Sequence, residues 1–327
     1  MTLRTIADSL IEAPIVTSFT KIGYEARRRI AGWSSLDAYD LSGRVMVLTG
    51  ATSGLGLAAA RQFAACGATL VLVGRDAAKN DRAVDEVVGT TGNASITHVP
   101  ADMGDLDQVR ALAARVLAEH RRIDVLIHNA GALTAERHVA PDGTEATVAS
   151  QVVGPFLLTT LLFDRLVESA PSRVITMSSG GMYTAALAVS QLQMTPETYK
   201  GSEQYARAKR AQVTLNEMWA QRFGGAGVRF HAMHPGWANT PGVEASLPRF
   251  SKVMGPLLRT PEQGADTLVW LAADDLPLES NGLFWLDRRP RSIHKLSKTK
   301  KTDTPDRRAR LWDWVAATAG ASPTRHR

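Results

Sequence analysis

Tyr205 and Lys209 stand four residues apart in Ser202 to Phe223, a stretch whose apolar residues recur at helical spacing, so the two side chains share one helix face. A free tyrosine titrates near ~10 and is a poor proton donor and acceptor at neutral pH, whereas a neighbouring ammonium favours its phenolate. Lys209 can supply that charge. The pair Ser178-Ser179 closes the apolar run Arg173 to Met177 and offers a hydroxyl that can donate to an oxygen on which negative charge develops. Such a set suits proton transfer at a carbonyl or an alcohol. Alone, the Tyr-x-x-x-Lys spacing also fits an ordinary amphipathic helix surface.

A second group, Thr49-Gly50-Ala51-Thr52-Ser53-Gly54-Leu55-Gly56, follows the apolar run Arg44 to Leu48 and precedes a helical stretch from Leu57. In a strand-turn-helix unit the glycines let backbone approach a pyrophosphate, and the amides at the helix start attract its charge. The spacing is Gly-x-x-x-Gly-x-Gly rather than the dinucleotide pattern Gly-x-Gly-x-x-Gly, and a tight turn with no ligand would use the same glycines. The next strand, Thr69 to Val73, ends at Gly74-Arg75. An acid at that place would accept from ribose hydroxyls, whereas an arginine can pair with a 2′-phosphate, so NADP(H) is favoured over NAD(H). Asp76 lies roughly the ~20 residues past the turn at which an NAD-type acid is often found, but its place before Ala77-Ala78-Lys79 favours a helix N-cap.

Further segments continue the series: Val99-Pro100-Ala101-Asp102-Met103, Val125 to Asn129-Ala130-Gly131, and His234-Pro235-Gly236-Trp237-Ala238-Asn239-Thr240. With the glycine turn, Ser178-Ser179 and Tyr205-x-x-x-Lys209, their order over residues 41–287 resembles the short-chain dehydrogenase/reductase family. Segments 178–182, 234–243 and 260–267, with Gly23-Tyr24-Glu25 and Leu286 to Pro290, are similar to the branch called dehydrogenase/reductase SDR family member 12. The resemblance implies a nicotinamide cofactor lying on Thr49, Gly50, Thr52, Ser53, Gly54, Leu55 and Gly56. It places Asp102, with Met103 beside it, at the adenine, Asn129, Ala130 and Gly131 along the cleft, and Pro235, Gly236, Trp237 and Thr240 at the nicotinamide. Ser179, as second of its pair, becomes the donor to the substrate oxygen, Tyr205 the acid or base, and Lys209 also a ligand of the nicotinamide ribose. Where the family has an asparagine that holds a proton-relaying water, this chain has Gln151, one methylene longer.

These side chains need a frame. Apolar runs alternate with helical stretches at Leu57 to Cys66, Leu106 to Glu119, Thr144 to Val167 and Tyr205 to Phe223, and strands follow at Val228 to Met233 and Gly282 to Leu286. That alternation predicts a doubly wound, mainly parallel Rossmann-type α/β sheet with helices on both faces, in a single domain. The expected divisions are a helical N-terminal extension over 1–40, the catalytic domain over 41–287 and a basic tail over 288–327. Ser179 and Tyr205 are separated by an insertion with Tyr183, Met194 and Tyr199, which is expected beside the substrate mouth. Its apolar content points to a lipophilic substrate, or to packing of the loop on the domain.

Composition narrows the classes. A single cysteine, Cys66, excludes an intrachain disulfide and suits the reducing cytoplasm, and eight histidines without ligand spacing give no metal site. No apolar run reaches transmembrane length uninterrupted. Of the net charge of +6, the excess lies at the C-terminus, with twelve Lys/Arg against four Asp/Glu over 286–327. That tail, like Phe19 to Trp33 at the other end, could pack on the domain or meet an anionic membrane surface. Nucleic acid is disfavoured because no binding module accompanies the charge. The resemblance implies homo-oligomers through the helices at Thr144 to Val167 and Tyr205 to Phe223. The leading reading is a carbonyl reductase or alcohol dehydrogenase of a small molecule; the alternatives are a cofactor-binding scaffold without turnover and, less well matched by chain length, a nucleotide-sugar epimerase.

Overall fold

The apolar run at Val45–Thr49 becomes the strand β1, and its alternating side chains divide between two cores. Met46 and Leu48 face one helical layer, and Val47 faces the other. In the computed structural model, which describes residues 3–321, β1 lies inside an eight-stranded sheet. The other strands are β2 (Thr69–Gly74), β3 (Ile96–Pro100), β4 (Val125–His128), β5 (Ser172–Met177), β6 (Val228–Met233), β7 (Phe284–Leu286) and β8 (Arg289–Arg291). Their order is β3-β2-β1-β4-β5-β6-β7-β8, parallel throughout except for the final hairpin. The strand order reverses between β1 and β4, and ligands of open α/β sheets bind beyond the strand ends at such a point. The expected doubly wound architecture is what the chain adopts.

The helices are α1 (Leu3–Glu12), α2 (Ile15–Phe19), α3 (Lys21–Ala31), α4 (Gly54–Ala65), α5 (Ala77–Thr91), α6 (Leu106–Glu119), α7 (Ala146–Val148), α8 (Gly154–Glu168), α9 (Gly201–Phe223), α10 (Pro241–Ser246), α11 (Pro248–Met254), α12 (Pro261–Ala273), α13 (Ser297–Thr302) and α14 (Pro305–Ala319). α4, α5 and α12 share one core, and α6, α8 and α9 share the other. A π-helical turn, Ala149–Val153, joins α7 to α8, so helix runs without a break over Ala146–Glu168. That span is long and apolar enough to cross a bilayer, but most of it is buried within the fold, as befits a core helix between two layers.

The basic C-terminal stretch packs on the molecule as far as it is described; its last six residues, 322–327, lie outside the described residues, as do 1–2 of the N-terminal extension. α14 begins at the N-cap Thr304 with Pro305 behind it, and it ends at Gly320 in the left-handed region. Leu311, Trp312, Val315 and Ala319 fall on one face of it and enter the core. Trp312 sits 5.0 Å from Phe156 and 5.1 Å from Trp219, ring centre to ring centre. At 4% exposure it is not placed to anchor a membrane surface. Arg308 pairs with Asp303 and Glu217, while Lys298, Lys300 and Lys301 remain exposed. α14 thus crosses α8 and α9, the helices that the resemblance implied for subunit contact.

The insertion between Ser179 and Tyr205 folds as three 3-10 turns, Gly180–Thr184, Val189–Gln191 and Pro196–Thr198. Met182, Tyr183, Leu187, Leu192 and Met194 are buried. Its apolar content therefore serves packing, and these side chains give no support to a lipophilic substrate.

Candidate active site

The glycine turn closes the gap between β1 and β4. A methyl carbon built on Gly50 would lie 2.7 Å from Ala130 Cα, and one on Gly56 would lie 2.1 Å from the Gly50 carbonyl oxygen. Gly50 and Gly54 also take positive φ, at 68° and 54°, which side chains rarely adopt. Asn129 fastens the turn by donating to the carbonyls of Thr49 and Gly50 at 3.0 and 2.9 Å. The amides of Asn129 and Ala130 both donate to Thr49 Oγ1 at 3.1 Å. The Ser53 side chain makes no cap on α4, so it does not compete for the first-turn amides. This bare backbone cradle at a helix N-terminus fits a dinucleotide pyrophosphate. The Leu55 side chain turns away to α12, where a methyl on Gly264 would come within 2.5 Å of it.

At the end of β2, a methyl on Gly74 would lie 2.4 Å from Asn80 Oδ1 and 2.8 Å from Thr52 Cγ2. No acid fits there. Arg75 follows with its side chain 75% exposed, 3.8 Å from the Asp102 carboxylate. Asp76 is the N-cap of α5, accepting from the Lys79 amide at 3.0 Å. Asp102 turns its other oxygen to the Gly104 amide at 2.8 Å, and the Met103 side chain is buried in the core.

Ser179 and Tyr205 converge across Gly181: a methyl built there would lie 3.6 Å from Ser179 Oγ and 3.9 Å from the Tyr205 ring. The Ser178 hydroxyl is spent on the Lys209 carbonyl at 3.2 Å and is buried, so the second serine of the pair is the one facing the phenol. One turn along α9, Lys209 Nζ lies 5.2 Å from the Tyr205 ring centre and donates to the Met177 carbonyl at 2.9 Å. Electrostatics departs from the expected lowering of the phenol by the ammonium. Burial pushes Tyr205 up to about 12 against the lowering hydrogen bond with Ser179, and burial pulls Lys209 down to about 7. Desolvation dominates for both groups, because each would carry its charge where water is excluded.

Gln151 occupies the π-helical turn, a distortion common at functional sites. Its Nε2 donates to the Ala132 carbonyl at 2.8 Å, and its main-chain oxygen accepts from Gln212 Nε2 at 2.7 Å. Gln151 Oε1 is buried without a partner among the described residues. It faces the same point as Lys209 Nζ, the two lying 3.0 and 3.4 Å from a methyl built on Gly131. Gln212 was not singled out from sequence, although it lies three residues past Lys209 on the same helix face. His128 is buried against Thr159 Oγ1 at 2.7 Å and pulled down to about 3 by burial, which keeps it neutral. Among the described residues no group of three or more His, Cys, Asp or Glu is arranged to hold a metal ion.

The last wall is the loop Pro235 to Thr240. Thr240 caps α10 by accepting from the Val243 amide at 3.2 Å, and its Cβ would lie 3.3 Å from a methyl on Gly54. Pro235 offers its carbonyl to Arg259 at 3.2 Å, Gly236 takes φ 72°, and Trp237 donates its amide to the Phe19 carbonyl at 2.7 Å. Phe19 and Arg259 belong to none of the motifs, and Asp287 only to the C-terminal segment of the branch likeness, yet they touch this loop or each other. The sequence hints were that the branch likeness reached both ends of the chain, around Gly23-Tyr24-Glu25 and Leu286 to Pro290, and that the stretch from Phe19 to Trp33 could pack on the domain.

A family model for short chain dehydrogenases matches residues 44–249. The chain belongs to the short-chain dehydrogenase/reductase family. Among its relatives in that family, dehydrogenase/reductase SDR family member 12 of Homo sapiens is 39% identical over 84% of this chain and 86% of its own length. Retinol dehydrogenase 12 of Mus musculus is 32% identical over 91% of this chain and 95% of its own length. In three dimensions, an uncharacterised protein of Mycobacterium paratuberculosis superposes with a TM-score of 0.71 and 26% identity, covering 89% of this chain and 99% of that one. The short-chain dehydrogenase/reductase chemistry is that of a nicotinamide-dependent oxidoreductase of CH–OH and C=O groups.

Proposed function

We propose that this short-chain dehydrogenase/reductase is an NADP(H)-dependent carbonyl reductase or alcohol dehydrogenase in which Tyr205 is the acid and base. The convergence of Ser179 and Tyr205 beside Gly181, with Lys209 one turn behind, carries this reading. When bound, the nicotinamide supplies hydride to the carbonyl carbon in reduction and takes it back in oxidation. Ser179 donates to the substrate oxygen and Tyr205 delivers its phenolic proton there; oxidation reverses both steps. A lysine pulled down to about 7 gains and loses a proton readily at neutral pH, so Lys209 restores the phenol, with Gln151 Oε1 holding the water that feeds it. A scaffold without turnover is the second reading, favoured by that substitution of glutamine for asparagine.

Gly50, Gly54 and Gly56 would hold the pyrophosphate, with Thr49, Thr52 and Ser53 around them. Asp102 would meet the adenine, Asn129 to Gly131 would line the cleft, and Pro235, Gly236, Trp237 and Thr240 would hold the nicotinamide. A lipophilic substrate is supported by the retinol named for one relative and by the Trp237 and Phe250 rings, 5.2 Å apart beside the loop. A buried Cys66, its thiol pushed up by burial, suits the reducing cytoplasm.

The choice of NADP(H) rests on Gly74, where no acid fits, and on the exposed Arg75 after it. A charge-assisted contact with a 2′-phosphate is worth about 1.5–3 kcal/mol, so Arg75→Ala is expected to weaken NADPH by roughly one to two orders of magnitude. NADH should change far less. Equal losses for both cofactors in a binding titration, or a wild-type preference for NADH, would overturn the assignment.

A further inference from the structure

Phe19 lies in the N-terminal helices, outside the residues that the family model matches, yet it touches two loops of the site. Its ring is 3% exposed and meets His234 edge-on at 4.5 Å and Trp237 at 5.7 Å. On its other side it covers Gly180, the residue after Ser179: a methyl there would lie 2.6 Å from the ring. Its carbonyl accepts from the Trp237 amide at 2.7 Å and from Arg259 Nε at 3.1 Å. A methyl on Gly236 would strike that carbonyl at 2.6 Å and the Arg259 guanidinium at 2.4 Å. Two glycines of the site are therefore shaped to one phenylalanine 161 or more residues away in sequence.

The segment carrying Phe19 is held in place by charge. Arg259 donates to the Ser18 carbonyl at 3.0 Å and to Asp287 at 2.6 and 2.9 Å. Arg27 donates to the same Ser18 carbonyl at 3.0 Å and to Asp287 at 2.6 Å, and it also grips Asp8 of α1. All three charges of the Arg27–Asp287–Arg259 group are buried, with side chains no more than 3% exposed. Such a group is costly to dismantle, so it fixes the Phe19 backbone against the loop.

We infer that Phe19 is a positioning residue of the active site: its ring and carbonyl set the spacing between the Ser179 turn and the Pro235–Thr240 loop. The inference rests on the proposed reading of that loop as the seat of the nicotinamide. A misplacement of about 1 Å between reacting groups can cost ~10²-fold in rate, and the ring is the spacer here.

The test compares Phe19→Ala, Phe19→Leu and, as a control on the same helices, Leu10→Ala, whose side chain is 71% exposed. For Phe19→Ala the expected results are a kcat lower by roughly tenfold or more and weaker NADPH binding. Adenosine 2′,5′-bisphosphate, which lacks the nicotinamide, should bind as to wild type, because the adenine end is remote from the ring. Phe19→Leu should recover most of both losses, and Leu10→Ala should match wild type. Amide hydrogen exchange gives a readout independent of any cofactor: peptides covering 180–184 and 235–240 should exchange faster in Phe19→Ala, with the sheet unchanged. If wild type binds no NADPH, the cofactor reading fails while the exchange pattern still decides the spacer role. Equal weakening of NADPH and the bisphosphate overturns the inference, as does a folded Phe19→Ala with wild-type exchange in both loops. If Phe19→Ala does not fold, wild-type kcat and loop exchange in Phe19→Leu overturn it, and intermediate losses support it.

Discussion

Tyr205→Phe is expected to lower turnover by roughly 10²–10⁴-fold while NADPH binds as it does to the wild type. The substitution removes one oxygen and leaves the ring, so the packing on α9 and the contact of the ring with Lys209 persist. What disappears is the proton donor that converges with Ser179 on Gly181. Neither the Ser178 hydroxyl, which is bound to the Lys209 carbonyl, nor His128, which is buried and neutral, is placed to take over. Single-turnover kinetics with a substrate limited by chemistry measures the effect. A wild-type rate in Tyr205→Phe would contradict the proposed proton transfer.

Asp287→Asn is expected to cost about 3–5 kcal/mol of stability at neutral pH, because it leaves two buried guanidiniums without their shared counter-charge. Asp287 is 1% exposed, and it sits at φ 54° in the hairpin between β7 and β8. Burial alone would raise its pKa, but the charges and hydrogen bonds of Arg259 and Arg27 overcome this and hold it below the usual carboxylate range. A depressed folded-state pKa means that this stabilisation is complete above the unfolded value of ~3.9 and is lost as pH falls through the folded value. Urea unfolding at several pH values measures both effects. The variant should be less stable at neutral pH, and the gap should narrow in acid. A midpoint equal to wild type at neutral pH would show that the buried group does not hold the N-terminal helices.

The parts of this molecule that could be read from the chain were those written locally. The strand-turn-helix at Thr49 to Gly56 and the four-residue spacing of Tyr205 and Lys209 are short-range patterns, and the doubly wound sheet follows from the alternation of apolar runs with amphipathic ones. Asp76 was legible as a helix cap for the same reason. What escaped was set by contacts between distant residues. Arg27 and Asp287 meet across 260 positions, and Phe19 meets Gly180 only after the sheet has formed. The insertion's apolar residues could not be assigned to a substrate or a core by composition, and burial of Met182, Leu187 and Leu192 decides for the core. The protonation of Tyr205 and Lys209 escaped too, because desolvation depends on a cleft wall built from several elements. The basic tail left packing on the domain and contact with a membrane surface both open, and the enclosure of the Trp312 ring by Phe156 and Trp219 decides for packing at that residue.

The most direct test of the central claim is consumption of reduced cofactor by the purified protein across a panel of aldehydes, ketones, retinoids and steroids, with NADPH and NADH in parallel. The account predicts loss of NADPH absorbance with at least one lipophilic carbonyl, slower loss of NADH, and near abolition of both by Tyr205→Phe. A wild-type protein that binds NADPH yet consumes none with any carbonyl, and reduces no NADP with the matching alcohols, would contradict it and leave the scaffold reading in its place.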